Sequence, residues 1–91
     1  MYNVRFTGKF NKDYKVIKKR RYKIEKLKEV VKILREEKQL PEKYKDHALQ
    51  GGYTGYRECH IEPDWLLIYK IENNTLTLVL SRTGTHSDLF K

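Results

Sequence analysis

Two apolar runs near the C-terminus, separated by Asn73-Asn74, constrain the fold of this chain more than any other feature. Residues 65–72 and 75–83 are both rich in Leu, Ile and Val. Asparagine tolerates the positive φ that a tight turn needs, so the pattern predicts an antiparallel hairpin with a two-residue turn. Such a turn fixes which residues face each other across the two strands.

That register predicts a row of functional side chains at one edge of the sheet. It places Trp65 opposite Arg82, and a loop at 61–64 around Pro63 would place His60 opposite Trp65. Residues directly opposite in an antiparallel pair point to the same side, so the three side chains would line up across three strands. A bulge or a slipped turn would break this row, because a shift of one residue reverses every side chain.

The rest of the chain predicts two amphipathic helices and an α+β fold. Helical spacing relates the apolar residues after Thr7, a candidate N-cap, and again those from Ile24 to Leu34. The order is β-α-α-β-β-β, two helices packed on a small antiparallel sheet with a short C-terminal helical turn. The predicted elements are a strand at 2–6, helices ending near 18–21 and before Pro41, a loop at 42–52, strands at 55–61, 65–72 and 75–83, and a turn capped by Thr85 or Ser87.

Length and composition predict one domain, residues 1–91, in a reducing compartment. A chain of 91 residues can bury a single modest core. Its one cysteine, Cys59, allows no internal disulfide, which fits the cytoplasm. No apolar run approaches the roughly 20 residues of a membrane span, so no membrane partner is expected.

The positive charge is concentrated in the first half of the chain. Residues 1–45 carry 16 Lys and Arg against 6 Asp and Glu, whereas residues 46–91 carry 4 against 6. The resulting net charge of +10 on residues 1–45 attracts phosphate backbones or an acidic protein through long-range electrostatics. The simpler alternative is a solvated surface of lysine-rich helices.

Metal binding and cysteine catalysis are the weaker interpretations of the polar residues. Cys59 and His60 are adjacent on a predicted strand, so their side chains point to opposite faces. The sequence has no CxxC, HxxxH or HExxH spacing. Beside Ile61 and Leu66, Cys59 is typical of a buried thiol. We therefore expect no metal and no cofactor.

Acid–base cleavage of a phosphodiester fits these residues better. Without a metal it needs a base for the 2′-OH, an acid for the 5′-oxygen and a cation for the charged transition state. Histidines titrate near neutrality, and a guanidinium suits phosphate oxygens. Trp65 or Phe90 could stack a splayed base. For each histidine the alternative is a solvated surface imidazole.

Four segments resemble the YafQ branch of the RelE/ParE superfamily, the toxins of bacterial type II toxin–antitoxin pairs. They are residues 45–49, 55–61, 63–69 and 82–90. The resemblance follows the whole chain in order and length, and its diagnostic part is the C-terminal half.

The resemblance implies a ribosome-dependent endoribonuclease that cleaves translated messenger RNA and is silenced by a cognate antitoxin. Its expected partners are an acidic antitoxin and messenger RNA on the 70S ribosome, with ribosomal RNA contacting the Lys/Arg-rich helices. Carried over by position, the acid–base residues are His47, His60, Asp64 and His86, the phosphate-binding residue is Arg82, and the substrate contacts are Trp65 and Phe90, to which we add Arg57.

Two other classes of function stay open. The ParE branch has the same fold and poisons DNA gyrase by binding, without RNA cleavage. A set of three histidines with Asp64 and Arg82 is more than such a toxin needs. The second alternative is a basic RNA-binding module without catalysis.

Overall fold

The computed structural model describes residues 1–90, which form a five-stranded mixed sheet with two helices packed against it. The α+β class is confirmed, and the side chains of Thr7 and Thr85 cap the first long helix and the short C-terminal helix. No helix among these residues has the length and apolar character needed to cross a membrane. The elements are β1 (Asn3–Phe6), α1 (Gly8–Lys19), α2 (Ile24–Arg35), β2 (His47–Ala48), β3 (Arg57–Glu62), β4 (Trp65–Glu72), β5 (Thr77–Gly84) and α3 (His86–Leu89).

The sheet differs from the expected antiparallel one at both edges. Its strand order is β1-β5-β4-β3-β2. The first strand, β1, runs parallel to β5. Parallel neighbours need a long crossover connection, and the chain between these two strands, which includes α1 and α2, provides it. The segment 42–52, expected to be a loop, contains β2, in which His47 pairs with Glu58. A two-residue strand is too short to leave a period-2 signal in the sequence.

The predicted hairpin forms, but its register is wrong. The turn is a 3₁₀ turn at Asn73–Thr75 followed by Leu76 in the left-handed region at φ 47°, so pairing begins with Glu72 opposite Thr77. A bulge between Ile68 and Tyr69 then shifts the ladder by one more residue. Arg82 consequently pairs with Ile68 and not with Trp65.

The helices cover one face of the sheet and build the main core there. Leu27, Val30 and Leu34 of α2 are buried at the predicted helical spacing. They join Trp65 and Leu67 of β4 in one cluster. Each such side chain contributes about 1.5–3 kcal/mol on full burial. On the other face, Leu66 and Ile68 are buried under Leu89 of α3.

Candidate active site

The face of the sheet that carries α3 also carries most of the polar candidates, and we call it the histidine face. Strand alternation places Glu58 and His60 on the same side of β3. His60 pairs with Leu66, and Ile68 pairs with Arg82, so His60 and Arg82 point to this face from the two neighbours of β4. The sheet therefore holds an imidazole and a guanidinium on one surface.

Two histidines converge on a buried carboxylate at the β2–β3 edge. Nε2 of His47 lies 3.4 Å from Oε1 of Glu58, and Nε2 of His60 lies 3.7 Å from the same oxygen. Glu58 is only 5% exposed. Both Nε2 atoms therefore lie within ion-pairing distance of one largely buried carboxylate oxygen. A buried carboxylate is costly without polar neighbours, and the two imidazoles are such neighbours.

Backbone carbonyls fix the orientation of both rings. Nδ1 of His47 lies 2.7 Å from the carbonyl oxygen of Lys45, and Nδ1 of His60 lies 3.1 Å from that of Pro63. A carbonyl oxygen only accepts hydrogen bonds, so Nδ1 carries a proton in each ring. Nε2 is therefore the nitrogen that gains or loses a proton on the histidine face.

Arg82 is held by a carboxylate of α1. Asp13 accepts hydrogen bonds from Nε of Arg82 at 2.7 Å and from Nη2 at 3.1 Å, and it also accepts the backbone N–H of Thr83 at 3.1 Å. The hydrogen bond to Asp13 raises the pKa of Arg82, so the guanidinium stays charged. Its other N–H donors can meet a phosphate, because a guanidinium has five.

The short helix α3 brings His86 and Phe90 to the same face. Thr85 and Asp88 form a reciprocal capping box at its start. The His86 and Phe90 rings lie 4.9 Å apart, and Tyr53 contacts Phe90 edge-on at 5.8 Å. The half-buried Phe90 ring is an aromatic surface next to an exposed imidazole.

Asp64 contacts His86 through its backbone. Oδ1 of Asp64 accepts the backbone N–H of His86 at 3.0 Å. The carboxylate thereby satisfies an amide at the start of α3 and fixes where the His86 side chain emerges. Asp64 was expected to be one of the acid–base residues; in this structure its carboxylate holds the backbone of the segment that carries His86.

Trp65 does not belong to the histidine face, which makes the predicted row wrong. Its side chain lies in the main core at 2% exposure, and it contacts Tyr22 edge-on. Its indole Nε1–H donates to Oγ1 of Thr83 at 2.9 Å. The irregular pairing between His60 and Glu62 turns Trp65 to the helix side of the sheet. A buried indole offers no surface on which a base could stack.

Arg57 also lies away from the histidine face. It pairs with Tyr69, whose ring packs in the main core, and its guanidinium donates to Asp46 through Nε at 3.2 Å and Nη2 at 2.9 Å. The hydrogen bond to Asp46 raises the pKa of Arg57. Tyr69 donates its hydroxyl to the same carboxylate, and burial raises the pKa of that tyrosine. Arg57 thus anchors the segment before His47 rather than reaching the other candidates.

Three contributors to the site were not predicted from the sequence. Glu58 stands two residues before His60, so strand alternation alone could have placed both on one face. Asp13 gave no signal, because its partner Arg82 is 69 positions away. Tyr53 lies in a turn, and only the fold brings it to Phe90.

The cysteine and the possible metal ligands behave differently from the histidines. Cys59 is buried in the main core, and burial raises the pKa of its thiol. The nitrogens of His47 and His60 and the carboxylate of Glu58 are donor types that zinc and copper accept. Within residues 1–90, however, no three His, Cys, Asp or Glu side chains are arranged to hold a metal ion.

Comparison with known proteins places the chain among bacterial toxins. Residues 2–91 match the family described as "Bacterial toxin of type II toxin-antitoxin system, YafQ". The chain is 44% identical to the mRNA interferase toxin YafQ of Escherichia coli K12 over 97% of this chain and 95% of that protein.

Two solved structures share the fold at similar identity. The E. coli DinJ-YafQ complex contains a chain that is 42% identical and superposes with a TM-score of 0.90, covering 100% of both chains. A metal-bound toxin from Helicobacter pylori is 44% identical with a TM-score of 0.93, covering 99% of this chain and 100% of that one.

Proposed function

Because this chain belongs to the YafQ family of type II toxins, we propose that it is an mRNA interferase that cleaves messenger RNA by metal-independent acid–base chemistry. One observation carries the proposal: two imidazoles sharing Glu58 lie on the face that also bears Arg82, held by Asp13. The α3 helix adds His86 to that face. Residues 1–91 act as one domain in this scheme.

The reaction begins with removal of a proton from the 2′-OH. The 2′-oxygen then forms a bond to the adjacent phosphorus, and the bond from phosphorus to the 5′-oxygen breaks. The departing oxygen takes a proton from an acid, leaving a 2′,3′-cyclic phosphate and a new 5′-OH. The histidines His47, His60 and His86 supply base and acid, with Asp64 placing His86.

Arg82 stabilises the charge that develops on the phosphate oxygens. Asp13 holds the guanidinium of Arg82 in one orientation before the substrate binds. Little free energy is therefore needed to reorient the guanidinium when the transition state forms. Phe90 is the surface on which a splayed base stacks, a role that buried Trp65 does not fill.

The proposed partners are a translating ribosome and an acidic antitoxin in the cytoplasm. The +10 charge of residues 1–45 attracts both ribosomal RNA and an acidic chain. The related E. coli toxin was solved with DinJ, which supports an antitoxin for this chain. Both associations should weaken as salt is raised.

Incubation with translating ribosomes, followed by mapping of messenger ends, tests the function. Cleavage within translated codons is the expected result, and Arg82→Ala should abolish it while Asn74→Ala, an exposed change in the turn between β4 and β5, should not. Inhibited DNA gyrase with intact messenger would instead support the ParE-like alternative. RNA binding without new ends would leave only a binding module.

A chelator added to the same assay tests whether the reaction needs a metal. The relative from H. pylori is a metal-bound toxin, so this control is needed. Cleavage should continue at an unchanged rate in excess of a chelator that removes zinc and copper but leaves the Mg²⁺ that the ribosome needs. Loss of cleavage that returns on adding zinc or copper would overturn the metal-independent scheme.

A further inference from the structure

A cleft of about 350 Å³ opens beside His60, between α2, the turn at Glu42–Tyr44 and the end of β3. Its volume lies within the range of small-ligand sites, about 300–1,000 Å³. Tyr44 and Ile61 line it and are themselves buried. Because His60 lines both this cleft and the histidine face, a strand that passes the catalytic imidazoles can continue into the cleft.

The cleft has an excess of positive charge. Lys26 pairs with Glu62 at 2.8 Å, which leaves two lysines against Glu29 among the lining side chains. Within residues 1–90, Lys43 and Lys45 make no ion pair with a carboxylate. Their ammonium groups can therefore meet an anion from outside.

Lys45 also connects the cleft to the catalytic histidines. Its backbone is in the left-handed region at φ 51°, a conformation that a residue with a side chain seldom adopts. The carbonyl oxygen of Lys45 accepts a hydrogen bond from Nδ1 of His47 at 2.7 Å. One residue thus orients an imidazole and contributes its side chain to the cleft.

We propose that this cleft binds the RNA phosphate next to the scissile one, with Lys43 and Lys45 as its cationic ligands. The proposal rests on the proposed function, since it places a second phosphate of the same substrate. Contacts to phosphates position a nucleic acid without reading its sequence, and lysine provides a compact point charge for them. The cleft then sets the register of the strand against His60.

Binding of an uncleavable 2′-O-methyl trinucleotide, followed by NMR of the His60 ring, tests the proposal. One version keeps both phosphates charged, and two others carry a neutral methylphosphonate at one linkage or the other. Lys43→Ala and Lys45→Ala should each weaken binding of the fully charged version roughly two- to fivefold. The slope of log affinity against log salt should fall by about 0.7 for a lost phosphate contact.

The neutral linkages locate the effect. One methylphosphonate version should bind the wild type and both lysine variants equally, because the phosphate that the lysines contact is missing. Lys9→Ala on α1 is the matched control and should behave like the wild type.

Three results would overturn the proposal: no measurable trinucleotide binding by the wild type, an equal loss in Lys9→Ala, or an equal loss for all three trinucleotides. Variants that bind RNA normally and lose only antitoxin binding would assign the cleft to a protein partner instead. Trinucleotide binding involves no cleavage, so a failure of the ribosome assay alone would count against the proposed function and not against the cleft.

Discussion

Asp13 on α1 holds Arg82 on β5 through hydrogen bonds of 2.7 Å to Nε and 3.1 Å to Nη2, although the two residues are 69 positions apart. The pair joins a helix of the main core to the opposite face of the sheet. Both side chains are mostly shielded, at 20% and 15% exposure, so solvent screens the interaction less than at an open surface. The guanidinium of Arg82 is therefore oriented by the packing of α1 against β5.

Asp13→Asn should lower the rate of messenger cleavage on the order of 10- to 100-fold, because a small misplacement of a catalytic group has effects of that size. The amide keeps the shape of the side chain but loses the charge that holds Arg82. Single-turnover cleavage of ribosome-bound message and thermal unfolding should be measured together. Glu25→Gln, an exposed carboxylate on α2, is the control. A stability loss with no change in rate would show that the pair is purely structural.

Glu58→Gln should slow messenger cleavage on the order of 10- to 100-fold, because Glu58 holds two candidate catalytic rings in place. The amide keeps the volume of the side chain but removes the negative charge that the Nε2 atoms of His47 and His60 face at 3.4 and 3.7 Å. Single-turnover cleavage of ribosome-bound message gives the rates, and Glu25→Gln, an exposed carboxylate on α2, is the control. Equal rates for wild type and Glu58→Gln would exclude Glu58 from positioning the imidazoles.

The sequence predicted the helices because their apolar spacing reflects packing within each element. The burial of Leu27, Val30 and Leu34 could be predicted without knowing which surface they pack against. The helix starts could be predicted because Thr7 and Thr85 are residues that cap helices by local hydrogen bonds. Pairing between distant strands has no such local signature. The parallel partner of β1 and the site of β2 could not be predicted for that reason.

His60 and Arg82 were correctly predicted to share one face of the sheet, although the predicted strand register was wrong, because two errors in the register cancelled. The irregularity between His60 and Glu62 shifts the ladder by one residue, and the longer turn with the bulge after Ile68 shifts it by three. Each odd shift turns Trp65 to the other face relative to a neighbouring strand. Two such reversals leave His60 and Arg82 on one face, as expected, and place Trp65 in the core.

Trp65→Phe should lower the stability of the fold, and Phe90→Leu should weaken substrate binding, because the indole is buried in the core and the phenyl ring lies beside His86. Trp65→Phe removes the Nε1–H bond to Thr83 and part of the core volume, so it should destabilise the fold by about 1–3 kcal/mol. Its cleavage rate per folded molecule should stay near that of the wild type. Phe90→Leu should instead weaken substrate binding with little loss of stability, because the ring is only half-buried. Chemical denaturation and cleavage kinetics separate the two, and a substrate-binding defect in folded Trp65→Phe would return the indole to the site.

Asp88 should make the anchoring of α3 dependent on pH. The hydrogen bond from Arg20, at 2.6 Å, holds the pKa of Asp88 well below its usual range. A carboxyl whose pKa is lowered on folding stabilises the native state above the unfolded value, about 3.9, and loses that contribution as the pH falls through the folded value. The stability difference between wild type and Asp88→Asn should therefore be constant near neutrality and shrink below about pH 4. A difference that stays constant down to pH 2 would show that the ion pair does not anchor α3.

His86→Ala should lower cleavage on the order of 10²–10⁴-fold, the usual effect of removing one acid–base group. The side chain is exposed, and Asp64 accepts the backbone N–H of residue 86, which alanine retains, so fold and antitoxin binding should be unchanged. Ser87→Ala, the exposed neighbour on the same turn, is the matched control. Single-turnover cleavage of ribosome-bound message, with chelator present, gives the rates, and calorimetric titration with the antitoxin checks binding. An undiminished rate for His86→Ala would remove this histidine from the mechanism and leave the chemistry to His47 and His60, whose Nε2 atoms already face the shared carboxylate of Glu58.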